Sequence, residues 1–270
     1  MIPTHIAVLQ FAPEKGEVQS NLDRVGEMLD GLDADLVVLP ELFASGYFFD
    51  STEQAHSLSE SATDGPTVSR MCEWAAATGA TIVGGLPERD GDLFYNSAVV
   101  VTPRGWLGTY RKTHLFYEET LHFTPGDTGF QVWTVTDRNN RSYRLGAMVC
   151  FDWFFPESAR ALALKGADVI AHPSNLVLAH CPRSMPIRAL ENHVFTATAN
   201  RTGRESNGRE TLEFIGQSLI CSPSAQTLAS ASGQEEGVFT ARIDPRQARQ
   251  RQINPYNDLH GDRRPELYAS

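Results

Sequence analysis

No run of about 18 uninterrupted apolar residues occurs in the sequence, so a membrane-spanning helix is not expected. Positive charge is scarce. The 23 lysines and arginines are outnumbered by 33 aspartates and glutamates, giving a formal net charge of −10, which argues against the basic footprint of a nucleic-acid-binding surface. Cysteines are few: Cys72, Cys150, Cys181 and Cys221 are scattered and form no C-x-x-C pair. A disulfide framework is therefore not expected, and the thiols are read as reduced in a cytoplasmic setting. The opening stretch MIPTHIAVLQFAP lacks both a basic region and a long apolar segment, and reads as a first strand instead of a signal peptide. Internal repeats, low-complexity tracts and linker-like breaks are also missing.

The remaining composition, 41% hydrophobic and 21% charged, is that of an ordinary globular chain. Short β-rich runs alternate with helical patterns. Strands are expected at 5–11, 34–40, 80–86, 96–103, 106–112, 143–149, 167–173, 194–200, 213–221 and 235–243. Helices are expected at 17–31, 66–78, 157–165 and 183–193. The polar stretch RTGRESNGRET (201–211) reads as a surface loop. This pattern predicts a single α/β domain over 1–245 with helices on the outer faces, followed by a polar tail, 246–270.

Three strand ends carry reactive groups: Glu41 follows LVVLP, Lys112 closes WLGTYRK, and Cys150 closes LGAMV. Taken singly, each has an ordinary reading: a solvated glutamate, a surface lysine, a small buried cysteine. Together they make a complete chemical set. A carboxylate can take a thiol proton, and an ammonium can lower the thiol's pKa and steady a developing oxyanion. The turn after Cys150 leads into a helix opened by Pro156 and Glu157, so backbone N–H groups there suit an anion.

These residues lie in stretches that resemble the nitrilase superfamily of carbon–nitrogen hydrolases. The stretches are LVVLPELFASGY (36–47), GTYRKTHLF (108–116) with FTPGDTGF (123–130), and GAMVCFDWFFPESARALALKGADVIAHPSN (146–175). PIRALENHVFTATANRTG (186–203) and DLHGDRRPELY (258–268) follow in the same order. The resemblance implies a four-layer α-β-β-α sandwich with no metal and no organic cofactor. It also implies pairing into a homodimer or higher oligomer, with the C-terminal tail in the interface. Glu41, Lys112 and Cys150 take the family's base, lysine and nucleophile positions. Glu119 matches its second glutamate, counted back from TPGDTGF, with Glu118 one residue off register.

The expected reaction is a two-step hydrolysis. Glu41 takes the Cys150 proton, and the thiolate attacks carbon. Lys112 and the backbone N–H of Phe151 hold the developing charge, and ammonia or amine leaves a thioester that water cleaves. Glu119 orients Lys112 or helps place water. The substrate is a small amide or N-carbamoyl amine, with a small aliphatic nitrile as the alternative. The pattern CxDxxxPE is closer to the amidase and carbamoylase branches than to the Cys-Trp-Glu of dedicated nitrilases. Trp153 and Phe154 stand where relatives acting on N-carbamoyl amino acids carry carboxylate-clamping arginines. Tyr47, Phe48, Phe49, Phe116, Tyr117, Trp153 and Phe154 are candidates for one aromatic pocket or for core packing. Asn175 is a candidate for substrate contact or for a turn. His114, two residues after Lys112, faces the site or the next layer.

Rival readings are weaker. His172, His180, Cys181 and His193 fit no zinc spacing. A cysteine protease needs a histidine beside Cys150, and nothing in the sequence places one there. A catalytically silent binding module would be expected to have lost one of the three reactive positions. Arg188 and Glu191 read as a surface ion pair or as part of a helix near the site.

Overall fold

The first strand, Thr4–Gln10 (β1), already has two apolar faces: Ile6 and Val8 join one core, Ala7 and Leu9 another. The computed structural model describes residues 3–268. Met1, Ile2, Ala269 and Ser270, the outer ends of the expected domain and tail, lie outside them. After β1 come α1 (Val18–Leu29), β2 (Leu36–Val38), α2 (Thr52–Ser57), α3 (Pro66–Thr78), β3 (Thr81–Asp90), β4 (Leu93–Thr102) and β5 (Gly105–Arg111). The next elements are α4 (Glu119–His122), β6 (Val132–Thr136), β7 (Ser142–Ala147), α5 (Pro156–Leu164), β8 (Val169–Pro173), α6 (Cys181–Asn192) and β9 (Phe195–Ala199). Then follow β10 (Arg204–Ser206), β11 (Thr211–Glu213), β12 (Leu219–Cys221), β13 (Thr227–Ser230), β14 (Gly237–Ile243), β15 (Gln252–Asn254) and β16 (Asn257–Asp258).

Two six-stranded mixed sheets form, ordered β14-β1-β2-β3-β4-β5 and β13-β12-β9-β8-β7-β6. Ile6, Val8, Leu36, Val38, Val83 and Val100 of the first sheet share a core with Leu145, Ala147, Val169 and Ala171 of the second. The two sheets therefore face each other. Leu22 and Val25 of α1 and Val68 and Met71 of α3 cover the outer side of the first sheet. Ala159 and Leu162 of α5 and Met185 and Ala189 of α6 pack into the core of the second. The architecture is the expected α-β-β-α sandwich in one domain. Each fully buried valine or leucine here contributes about 1.5–3 kcal/mol.

Several boundaries differ from the sequence expectation. The run 34–40 narrows to three strand residues, β3 extends to Asp90, and β6 was not foreseen. The expected strand 213–221 breaks into β11 and β12 around an irregular segment. The largest departure is RTGRESNGRET. It is a hairpin, β10–β11, and Arg201 and Glu205 are buried, 1% and 5% exposed, because each neutralises the other. At the other end, a 3-10 turn (Pro245–Arg249) buries Ala248 in the core, and Arg249 holds Asp168 at 2.7 Å. Beyond it, Ile253, Tyr256, Leu267 and Tyr268 are exposed.

Candidate active site

β1, β2 and β3 run parallel in the first sheet, and two antiparallel reversals return β5 to the same direction. In the second sheet β7, β8 and β9 are parallel. Glu41, Lys112, Cys150 and Asn175 thus all lie just past the carboxyl ends of strands, where sites of open α/β sheets collect.

Lys112 is fully buried. Its Nζ donates to Glu41 Oε1 and to Glu119 Oε1, each at 2.7 Å. Burial alone would push the ammonium's pKa down, but Glu119, Glu41 and Cys150 outweigh it and raise the pKa above the ordinary lysine value. Glu41 Oε1 also accepts from Asn96 Nδ2 at 2.7 Å, whereas its buried Oε2 has no hydrogen-bond partner among the described residues. Burial raises the Glu41 carboxyl; Lys112 pulls it down and Glu119 pushes it up, and the balance is about 7. A base is most effective with a pKa near the operating pH. The turn bearing Glu41 is set by close packing: a Cβ on Gly85 of β3 would lie 2.7 Å from Glu41 Cα.

Cys150 opens a 3-10 turn (Cys150–Phe154) with φ +40°, a conformation L residues rarely adopt. Leu42, next to Glu41, and Tyr117, two residues before Glu119, are also left-handed, at φ +48° and +54°. The sequence predicts a cation-lowered thiol pKa, but the structure reverses this. Burial and the negative charge of Glu41 raise Cys150 well above the ordinary thiol value, more than Lys112 and the Asn175 backbone N–H lower it. Both influences favour the protonated thiol, so a neighbouring base is needed before this sulfur can act as a nucleophile.

A network unseen in the sequence holds this turn. Asp152 Oδ2 accepts from the Val149 N–H at 2.9 Å and the Tyr110 hydroxyl at 2.7 Å. Asp152 Oδ1 accepts from the His114 N–H at 3.2 Å and contacts its Nδ1 at 2.7 Å. His114 stacks on Phe155 at 3.7 Å, so it ties the Lys112 loop to the Cys150 turn. His172 Nε2 lies 2.9 Å from the Cys150 carbonyl oxygen and Nδ1 3.0 Å from Thr198 Oγ1. Because a carbonyl only accepts, Nε2 is the donor. Burial holds the His172 pKa down to about 4, so the ring is neutral. Asn175 Nδ2 donates to the Glu41 carbonyl at 2.8 Å, linking the ends of β8 and β2 across the two sheets.

The expected aromatic pocket is two cavities. Phe116, Phe151, Trp153, Phe154 and Leu176 line one together with Cys150 and Asn175, and no charged side chain is among its lining residues. Tyr47, Phe48, Phe49 and Tyr117 line the other with Glu118, Glu119 and His122. Tyr47 lines the second cavity and not the first, and its hydroxyl donates to Glu119 Oε1 at 2.7 Å. Glu118 turns outward to Arg209 and Asn207. Arg188 pairs with Glu191 at 2.9 Å and also donates to the Trp153 carbonyl at 3.2 Å, so the pair is largely buried against a cavity-lining residue instead of lying on the surface.

The buried Glu205 of the hairpin supports Tyr47. Glu205 Oε2 accepts from the Tyr47 and Phe48 N–H groups at 2.9 and 2.7 Å, and Arg201, which pairs with Glu205, lies over the Phe214 ring at 4.1 Å. Glu205→Ala leaves a buried guanidinium unpaired. It is expected to destabilise the fold by about 3–5 kcal/mol, read by denaturant unfolding. Unfolding midpoints matching the parent protein would show the pair to be dispensable.

Among the described residues, no group of three or more His, Cys, Asp or Glu side chains could hold a metal ion. None of their helices is long and apolar enough to cross a membrane.

A thiol at a strand end, beside a carboxyl lifted to about 7 and a buried ammonium, is the equipment of a nucleophilic hydrolase. The sequence profile of the family described as "Carbon-nitrogen hydrolase" matches residues 5–252, and the chain belongs to that family. It is 49% identical over 266 residues to a protein named "Nitrilase" from Pyrococcus abyssi (strain GE5 / Orsay), covering 97% of this chain and 98% of that protein. It is 31% identical to an N-carbamoylputrescine amidase of Solanum tuberosum, covering 97% and 93%. The crystal structure of an amidase from Nesterenkonia sp. matches with a TM-score of 0.79 at 27% identity, covering 98% of this chain and 95% of that one.

Proposed function

We propose that the protein hydrolyses a carbon–nitrogen bond of a small, uncharged amide or N-carbamoyl amine through a thioester on Cys150. The observation that carries this reading is the Glu41–Lys112–Glu119 cluster, joined by two 2.7 Å bonds, whose charges act on the Cys150 thiol. Glu41 accepts the thiol proton as sulfur attacks the carbonyl carbon and passes it to the leaving nitrogen, which departs as ammonia or amine. Lys112 and the Phe151 N–H steady the oxyanion. Water then gives a proton to Glu41 and attacks the thioester, and the proton returns to sulfur as the acid is released. Glu119 orients Lys112. Phe116, Trp153 and Phe154 receive the acyl group, while Asn175 acts by fixing Cys150 relative to Glu41.

The 49% identity to a nitrilase supports a second reading, in which the thiol adds to a small aliphatic nitrile to give a thioimidate, one water adds before the nitrogen leaves as ammonia, and a second water cleaves the thioester. Ammonia release from matched nitriles, primary amides and N-carbamoyl amines separates the two. Turnover of amides or carbamoyl amines is expected, and turnover of nitriles alone transfers the assignment to the second reading. Because the Cys150 cavity has no lining charge, acetamide-type neutral substrates should exceed cationic N-carbamoylputrescine in kcat/KM. The reverse preference would count against this cavity as the acyl site.

The exposed Ile253, Tyr256, Leu267 and Tyr268 support self-association through the C-terminal tail as a homodimer or larger assembly. A nucleophilic free thiol supports a reducing, cytoplasmic setting.

A further inference from the structure

One buried titratable side chain takes no part in this chemistry. His122 closes α4 one turn after Glu119 and is 8% exposed. Its Nδ1 lies 3.0 Å from Thr52 Oγ1, a half-exposed residue whose hydroxyl donates to the Leu121 carbonyl at 3.2 Å. With that proton committed, Thr52 accepts from Nδ1–H, so Nε2 carries the basic lone pair. Nε2 is buried and has no hydrogen-bond partner among the described residues. A buried imidazole nitrogen left unpaired is costly, and such an atom points to a ligand or a proton.

The same ring lines a cavity of about 10 Å³ whose other polar walls are Tyr47, Glu118 and Glu119. That is room for roughly one water. The Nδ1 edge is turned away toward Thr52, and the cavity lies beside the carboxylate that holds Lys112.

We propose that His122 relays protons between the Glu119 carboxylate and solvent across this one-water cavity. The inference rests on the hydrolytic reading and extends it. The two half-reactions convert amide and water into acid and ammonia. Once Glu41 has returned its first proton to sulfur, the product acid gives its own proton to Glu41 and leaves as a carboxylate, so one proton departs from the buried cluster per turnover and joins ammonia in solvent. Lys112 hydrogen-bonds both carboxylates, and it can give a proton to Glu119 Oε1 while taking one from Glu41 Oε1, its own charge unchanged. The Glu119 O–H bond then breaks as the His122 Nε2–H bond forms through the intervening water. The imidazolium then returns its Nε2 proton through the same water to solvent past the half-exposed Tyr117 at the cavity wall, which leaves the ring in its starting Nδ1–H tautomer. No oxidant, reductant or further reactant is needed.

The relay needs a ring that is neutral at rest. The charged and titratable groups acting on His122 are Glu118, which precedes α4, Glu119 of α4, His56 from α2 and Arg209 from the β10–β11 hairpin. Burial is the strongest influence and holds the imidazole below its ordinary pKa, opposed by Glu118. His56 also contacts the His122 carbonyl oxygen at 3.0 Å through its Nε2.

His122→Asn keeps a donor near the Nδ1 position and removes the basic nitrogen. His122→Gln keeps a polar group in the cavity without basicity, and tests the same point should the first variant fail to fold. Both are assayed by ammonia release, with the best substrate of the parent protein, over pH 5–9. The expected result is a fall in kcat of about tenfold, below the ~10²–10⁴-fold of a direct acid or base, at unchanged KM. Partial recovery in imidazole buffer is also expected, which a merely structural role would not give. Parent-like kcat and pH profile in either folded variant overturns the relay, as does a change confined to KM. A parent protein that releases no ammonia from any amide, carbamoyl amine or nitrile overturns the hydrolytic reading and the relay together, so the two failures are distinguishable.

Discussion

Cys150→Ala is expected to lower kcat by on the order of 10⁶-fold, the scale seen when a nucleophile acting as a unit with its base is removed. The substitution deletes one buried sulfur from the lining of an apolar cavity, so the fold should persist and KM should change little. The loss belongs to the covalent step: without sulfur, water must attack the amide directly, with Lys112 and the turn amides still in place. The check is ammonia release by the purified variant beside an unchanged far-ultraviolet circular dichroism spectrum. Hydrolysis within tenfold of the parent rate would assign the chemistry to another group.

The second large effect is expected at Lys112. Its alanine variant loses an oxyanion donor, which costs about 10²–10³-fold in kcat. It also leaves Glu41 and Glu119, both buried, facing each other without the cation that bonds to each at 2.7 Å. One of the two carboxyls must then take up a proton. If it is Glu41, the base is lost as well, and the combined effect exceeds the oxyanion contribution alone. Breaking such a buried pair also destabilises by about 3–5 kcal/mol, so activity is to be compared per folded molecule below the unfolding transition. A folded Lys112→Ala protein with parent kcat would remove lysine from the mechanism.

A pH dependence follows from the same cluster. Glu41 works as a base only when ionised, and its carboxyl is raised to about 7. The rate should therefore fall roughly tenfold per pH unit below 7. Glu41→Gln should abolish this limb along with most of the activity. A limb centred near 4.5 would mean that the base is an ordinary solvated carboxylate.

The reactive residues were legible because each ends an apolar run: LVVLP before Glu41, WLGTYR before Lys112, LGAMV before Cys150. A strand cannot hide its period, and its end marks where a polar group can reach a cleft. The positioning layer was not legible, since its partners are remote in the chain. Tyr110 and Asp152 are 42 residues apart, and Tyr47 and Glu205 are 158 apart. Glu205 lies in a stretch so polar that solvation was the natural reading; the four-residue step to Arg201 permits an ion pair but says nothing of its burial. The aromatics after Glu41 and after Lys112 resemble one another in sequence, yet Tyr47, held by Glu205, bonds to Glu119 while Phe116 packs on Phe151 beside Cys150. The thiol's protonation was misjudged for a related reason. One cation was visible beside it, but the burial and the two carboxylates that outweigh the cation depend on the assembled fold.

The central claim is a covalent acyl–sulfur bond at Cys150, and the most direct test is intact mass spectrometry of protein quenched in acid during turnover of a good amide substrate. The account predicts a species heavier than the free protein by the acyl group less one hydrogen, located on the Cys150 peptide and missing from Cys150→Ala. Full turnover with no such species at any quench time, or an equal adduct on the alanine variant, would contradict it.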